Sequence, residues 1–326
     1  MMRLNFLLAG LILNSAFLYS QVITNKYSMV LKPNTAGGYY LADSAKIAKV
    51  IDLAAFPDMF VPYTYIPDRL QPAQYNTCKT RSYVYKRYPG YELKLEVDMA
   101  VSDRPAPFMV YIHGGGWSHG SLSSSRDISQ YTAVNGGVAG VRISYSLSRE
   151  KESSILNALE DVRDAVRFIQ EHAKELNIDP ERFGFCGGSA GGHLSAISGM
   201  TIPGTRLVVC YAGVFDLQAA SAITKAKAER RRYFKNLAPE VLRKASAIYR
   251  IPEKHQPAAL LMHGTGDFVV EHEQSERFAQ ALQDAGSKAV VLKLYPGYGH
   301  DISSKKCDLK ESVFFDTYDF ISKYIF

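Results

Sequence analysis

The sequence predicts an α/β protein built on one mostly parallel, doubly wound sheet of eight strands, with helices on both faces and an inserted cap. Three observations carry this. Short runs dominated by apolar residues recur from residue 82 onward, and such runs suit strands buried on both faces. Amphipathic helical patterns fill the gaps between them. An antiparallel pair opens the series, before strands and helices begin to alternate.

The pair is 82–87 and 91–98, joined by the turn residues Pro89-Gly90. Tyr91, Leu93, Leu95 and Val97 alternate with charged residues, as in a strand with one wet face. The six runs that follow are Phe108–Ile112, Val138–Ile143, Phe183–Cys186, Leu207–Tyr211, Ala258–Met262 and Ala289–Leu294. Between them, Leu156, Leu159, Val162, Val166, Ile169, Ala173 and Leu176 recur at helical spacing. Phe278, Ala281, Leu282 and Ala285 do the same, with Gly286 placed as a cap.

Upstream, residues 1–20 carry Arg3 as their only charge and an apolar run from Phe6 to Leu18, the pattern of a secretory signal peptide. The run is short for a membrane span of roughly 20 residues, so the expectation is an exported protein, periplasmic or extracellular, without a stable span. Removal of that segment leaves +5 of the chain's formal +6. Residues 21–80 form an N-terminal extension broken by five prolines, in which only 43–55 has helical character. Tyr39, Tyr40, Tyr63 and Tyr65 there have two readings: cover for the flank of residues 81–326, or a stacking surface for a sugar or aromatic group.

Composition excludes several classes. With 47% apolar and 21% charged residues the chain is an ordinary globular one. Four cysteines are too few for a disulfide scaffold; Cys186 and Cys210 lie in apolar runs as buried thiols, whereas Cys78 and Cys307 lie in polar contexts that a bridge would suit after export. There is no Cys-x-x-Cys pair, and His272-Glu273 lacks the second histidine of a helical zinc motif, so no metal or other cofactor is expected.

The chemistry concentrates at strand ends. Gly187-Gly188-Ser189-Ala190-Gly191 follows the fifth strand and opens a helix, the setting of a nucleophile elbow. The turn crowds positions two residues either side of the serine, which calls for glycine, and sets its oxygen at a helix N-terminus. His113-Gly114-Gly115-Gly116-Trp117 follows the third strand, where successive glycines let backbone N–H groups approach a substrate.

A serine nucleophile needs a base, and among eight histidines His300 stands out. It follows the last strand in Tyr295-Pro296-Gly297-Tyr298-Gly299-His300, a loop able to bring an imidazole over the sheet edge. His193 faces away from that position, and His263, at the end of the seventh strand, reads as core or loop packing. The base needs a carboxylate. Asp267, in a glycine-containing turn after the seventh strand, is preferred over Asp216, Glu271 and Asp301. The resulting order Ser189, Asp267, His300 places each residue at the carboxyl end of a strand.

The HGGGW stretch together with Gly187-Gly188-Ser189-Ala190-Gly191-Gly192-His193 resembles the carboxylesterase and acetyl-esterase branch of the α/β-hydrolase fold, related to hormone-sensitive lipase. It is also similar to feruloyl-esterase-like domains. Tyr145-Ser146-Leu147-Ser148-Arg149 stands where the lipase-like branch carries Tyr-Arg-Leu-Ala-Pro, so the feruloyl- and acetyl-esterase neighbours fit better. The resemblance implies an oxyanion hole from Gly115, Gly116 and Ala190, structural roles for His113 and Trp117, and no cofactor. It also implies hydrolysis of small-molecule or oligosaccharide esters, with acetyl or hydroxycinnamoyl groups on carbohydrate as the leading expectation. Alternatives are a peptidase of the prolyl-oligopeptidase kind, for which residues 21–80 are too short to supply the usual propeller, and a non-catalytic binding protein on the same scaffold.

The expected cap, about 217–256, holds ten Lys or Arg and three acids, a net +7. Attraction of an anionic substrate and a plain solvated face are both consistent with this. Nucleic acid is disfavoured, because no recognition fold accompanies the charge.

Overall fold

The computed structural model describes residues 75–326 apart from 151, 221–227, 305–306 and 308, with two short strands upstream (31–33 and 39–41); for those strands and for 228–230 it describes the backbone alone. The expected signal segment, the helix at 43–55, Tyr63, Tyr65, Lys225 and Lys227 lie outside the described residues.

Eight strands join in one sheet: β1 (Thr80–Tyr88), β2 (Tyr91–Asp98), β3 (Ala106–Ile112), β4 (Ala139–Ile143), β5 (Ile178–Gly188), β6 (Thr205–Tyr211), β7 (Ala258–Gly264) and β8 (Val290–Tyr295). Their spatial order is β8-β7-β6-β5-β3-β4-β2-β1. β1 and β2 pair antiparallel, β2 meets β4 antiparallel with Leu95 opposite Ile143, and every other neighbour is parallel. This is the α/β-hydrolase arrangement. A separate antiparallel pair, Leu31–Pro33 with Tyr39–Leu41, is an addition the sequence pattern did not suggest.

Alternation along the central strands builds two cores. Phe108, Val110 and Ile112 face one side, with Val162 and Ile169 of α2 (Ile155–Glu171), Leu194 of α4 (Ala190–Thr201) and Phe278 of α7 (Glu273–Asp284). Met109 and Tyr111 face the other, with Ile128 of α1 (Arg126–Asn135) and Val313, Phe314 and Ile321 of α8 (Lys310–Tyr324). All seven residues of β3 and of β7 are buried, the reason these runs lack a polar face. Ser154 caps α2 by accepting from Asn157 N–H, and α7 ends at Gly286, whose φ of +84° allows the left-handed turn. The periodicity through Leu176 predicted one helix. Instead α2 stops at His172, whose ring stacks on Phe168 and donates to its carbonyl at 2.7 Å, and a short α3 (Ala173–Leu176) follows.

Among the described residues no disulfide joins Cys78, Cys186, Cys210 or Cys307, which corrects the suggested Cys78–Cys307 bridge. Cys78 lies by the carbonyl of Met99 at the end of β2, whereas Cys307 packs on the second core beside α8. No helix among the described residues is long and apolar enough to cross a membrane.

The wet end of the sheet hides a charge pair. Arg142 of β4 is buried and grips Asp98 through Nε (2.7 Å) and Nη2 (2.9 Å), with Glu96 at 2.6 Å from Nη1. Ser129 and Thr80 donate to the same Asp98 carboxylate. Removing Asp98 leaves buried Arg142 with Glu96 as its remaining counter-charge and strips it of its bidentate partner, so Asp98→Ala is expected to lower the unfolding free energy by about 3 kcal/mol, read by guanidinium denaturation.

Candidate active site

The proposed nucleophile sits where the sheet demands the sharpest turn. Ser189 has φ 55° and ψ −121°, a conformation costly for a residue with a side chain. Space explains the flanking glycines: a Cβ on Gly191 would lie 2.0 Å from the Ile112 carbonyl oxygen, and one on Gly187 2.6 Å from the same oxygen. The strained turn is held by Ser189 N–H donating to Tyr211 O (2.8 Å) and by His193 N–H donating to Ser189 O (2.9 Å). Helix α4 therefore starts directly against the end of β3.

The glycine loop after β3 also runs through left-handed backbone: Gly115 at φ 108°, Gly116 at 58° and, unusually for so large a residue, Trp117 at 57°. His113 braces this loop. Its ring stacks on Tyr145 with centroids 4.6 Å apart, Nδ1 bonds the Gly114 carbonyl, and Tyr145 Oη donates to His113 O at 3.0 Å. Burial pushes its pKa down, which suits a neutral strut. Among the described residues, no acceptor takes the backbone N–H of Gly115, Gly116 or Ala190. Those three donors are available for a ligand.

His193 ties three segments together. Trp117 Nε1–H donates to its Nδ1 (3.2 Å), while its Nε2–H donates to the carbonyl of Ala245 (2.7 Å). Only the neutral ring can accept at one nitrogen and donate at the other. Desolvation by burial lowers its pKa to about 4.

The loops after β7 and β8 are stitched together by backbone N–H donors. Thr265 N–H donates to Tyr295 O, Gly266 N–H to Tyr298 O, and Gly297 N–H to Thr265 Oγ1. This union brings His300 Nδ1 to 2.6 Å from Asp267 Oδ2. The Asp267 side chain is fully buried and that of His300 is 18% exposed. Asp267 Oδ1 accepts the N–H groups of Val269 (2.8 Å) and Val270 (2.9 Å). Burial alone would raise the carboxyl's pKa, but hydrogen bonds from His263 and His300 outweigh it and hold Asp267 well below the usual carboxylate range. It is ionised.

Asp267 and His300 are thus joined, whereas among the described residues no hydrogen bond links His300 to Ser189. Such contacts in unliganded hydrolases are often long and tighten when substrate binds. Of the competing acids, Asp301 is exposed, and Asp216 accepts from Gln218 N–H, Ala219 N–H and Tyr249 Oη. His263 is the residue that sequence reasoning missed. Rather than packing alone, its Nε2 lies 3.1 Å from the same Asp267 Oδ2. A signal existed in the His263-Gly264-Thr265-Gly266-Asp267 turn, which sets both side chains at one strand end.

The cap segment contains α5 (Ala228–Tyr233) and α6 (Pro239–Lys244). It lies over the glycine loop: Phe234 meets Trp117 edge-on at 5.1 Å, Tyr233 Oη donates to Ser146 O, and Arg232 donates to Ser148 O. Arg231, Lys235, Arg243, Lys244, Arg250 and Lys254 are exposed, so the described part of the basic cap presents its charge outward. Among the described residues, no group of three His, Cys, Asp or Glu is arranged to hold a metal ion.

A mostly parallel eight-stranded sheet with a strained serine elbow and a buried Asp–His pair at its carboxyl edge defines the α/β-hydrolase fold. The chain belongs to the BD-FAE family, whose model matches residues 97–282. Among curated proteins it is 26% identical over 261 residues to Esterase LipC of Mycobacterium tuberculosis, an alignment covering 72% of this chain and 64% of LipC. Carboxylesterase NlhH of the same species is 33% identical over 119 residues, 35% of this chain and 37% of NlhH. The chain thus spans less than two thirds of the length of these relatives. Among solved structures, Thermogutta terrifontis esterase 2 superposes with a TM-score of 0.64 at 22% identity, covering 75% of this chain and 92% of that one.

The His193 tie has a pH consequence. Its folded pKa of about 4 lies below the unfolded value near 6.5, so its contribution is fully present above pH 6.5 and is lost as pH falls toward 4. The loss amounts to roughly 3 kcal/mol. Melting temperature measured from pH 7 to 4 is expected to fall steeply in the wild type and less steeply in His193→Gln.

Proposed function

We propose that this chain is a serine carboxylesterase, with Ser189 as nucleophile, His300 as base, Asp267 as acid and the backbone N–H groups of Gly115, Gly116 and Ala190 as oxyanion hole. The observation that carries this reading is the 2.6 Å bond between His300 Nδ1 and the ionised, buried Asp267. With its proton fixed on Nδ1, the imidazole presents Nε2 as the basic nitrogen.

In the proposed cycle His300 Nε2 removes the Ser189 Oγ proton as Oγ bonds to the ester carbonyl carbon. The carbonyl oxygen takes up negative charge among N–H donors that no acceptor takes among the described residues. Collapse breaks the carbon–alkoxy bond, and the alcohol leaves with the proton from Nε2. Water repeats the steps on the acyl-enzyme, returning the proton to Ser189 and releasing the carboxylic acid. The esterases named above support this chemistry by kinship.

For substrate we infer acetyl or hydroxycinnamoyl esters of carbohydrate. The support is the resemblance of the HGGGW and elbow motifs to acetyl- and feruloyl-esterases, together with membership of the BD-FAE family. Export is part of the same proposal and rests on Arg3 and the apolar run behind it. The outward-facing charge of the described cap favours a solvated surface over an anion site.

Ser189→Ala is expected to lower kcat/KM on p-nitrophenyl acetate by roughly four to six orders of magnitude, and fluorophosphonate labelling is expected on Ser189 alone. A panel running from acetyl to long-chain p-nitrophenyl esters, with acetylated xylan and methyl ferulate, tests the substrate. Preference for long chains would overturn the carbohydrate-ester reading. Turnover of proline p-nitroanilides but not esters would replace an esterase by a peptidase.

A further inference from the structure

We propose that His263 is a positioning residue for the triad: its Nε2–H, donated to Asp267 Oδ2, fixes the rotation of the carboxylate and shares the oxygen on which His300 rests. The inference depends on the assignment of Asp267 and His300 made above.

Every contact of the His263 ring supports one tautomer. The ring is wholly buried at the end of β7. Its Nε2 lies 3.1 Å from Asp267 Oδ2 and 3.1 Å from the carbonyl oxygen of Val270. Both partners are acceptors only, so Nε2 carries the proton. Nδ1 lies 2.7 Å from Ser275 Oγ on α7, and in the neutral ring it accepts the hydroxyl proton. The ring is satisfied on both nitrogens without a positive charge.

Asp267 is correspondingly full. Oδ1 takes the two backbone N–H groups of Val269 and Val270, and Oδ2 takes one N–H from each histidine. Four donors lock the plane of the carboxylate. The shorter bond belongs to His300, at 2.6 Å against 3.1 Å. The longer one restrains Oδ2 from the far side and draws electron density from the oxygen that stabilises the imidazolium. Deleting it leaves Oδ2 more basic, which favours protonated His300. The acid limb of kcat/KM, set by loss of the free base, then moves to higher pH.

The other ionisable groups around His263 stay constant in this comparison. Glu276 of α7 interacts with it electrostatically and lies near His272, which also meets Glu273, while Asp267 bonds it directly and shares Oδ2 with His300. None of these is altered by the substitutions below.

The test compares wild type, His263→Leu, His263→Gln and Ser275→Ala on p-nitrophenyl acetate from pH 5 to 9, below each variant's melting temperature. His263→Leu is expected to lower kcat/KM about tenfold to a hundredfold by loosening the base and to raise the acid limb by about half a pH unit or more. His263→Gln, whose amide N–H reaches the same carboxylate, is expected to restore the limb. Ser275→Ala keeps the histidine but frees its ring, and is expected to move the limb in the same direction by less; it carries the test if His263→Leu does not fold. Unmoved limbs in these variants of an active wild type would overturn the positioning role alone. A wild type that hydrolyses no ester would overturn the esterase reading, and this inference with it.

Discussion

The close approach of α4 to the end of β3 governs the rest of the site. With Gly187 and Gly191 lacking side chains, the elbow can press against the Ile112 carbonyl, and Ser189 is forced to φ 55°. That contact also fixes the distance between the elbow and the glycine loop that continues from β3. The first turn of α4 and the N–H groups of residues 115 and 116 are consequently parts of one rigid corner. A looser corner would leave those N–H groups unaligned with Ser189, and the proposed oxyanion role requires them to be held in advance.

A second, independent unit stands two strands away. The loops after β7 and β8 are bonded to each other more than to the elbow, and they carry a carboxylate with all its acceptor positions in use. Among the described residues no hydrogen bond joins this corner to the Asp267–His300 unit. In the proposed cycle, substrate binding is the event that would draw His300 Nε2 and Ser189 Oγ together.

Much of this was legible in the sequence, for identifiable reasons. Strands buried on both faces leave uninterrupted apolar runs, so β3, β6 and β7 were visible at once. The elbow and glycine loop were visible because backbone crowding admits few residues. Helix α8 was not foreseen: Val313, Phe314 and Phe315 are consecutive, and three adjacent apolar residues obscure a period of 3.6. The end of α2 was hidden because no glycine or proline marks it; a histidine ring competing for a carbonyl does the work instead. His263 was misjudged for a related reason. A histidine in an apolar strand run looks like filling until the fold shows which carboxylate it faces.

The tie made by His193 has a consequence for how such a protein can vary. Its partner in the cap is the main-chain oxygen of Ala245, so the bond is indifferent to the side chain at that position. The cap's exposed positions, such as Arg243, Lys244 and Arg250, are therefore free to drift, while buried Tyr233 and Phe234 and the path of its backbone are pinned to the body that bears Ser189. Surface change can accumulate there by substitution, but an insertion or deletion that shifts residue 245 would unseat Trp117 and, with it, the glycine loop that ends on it.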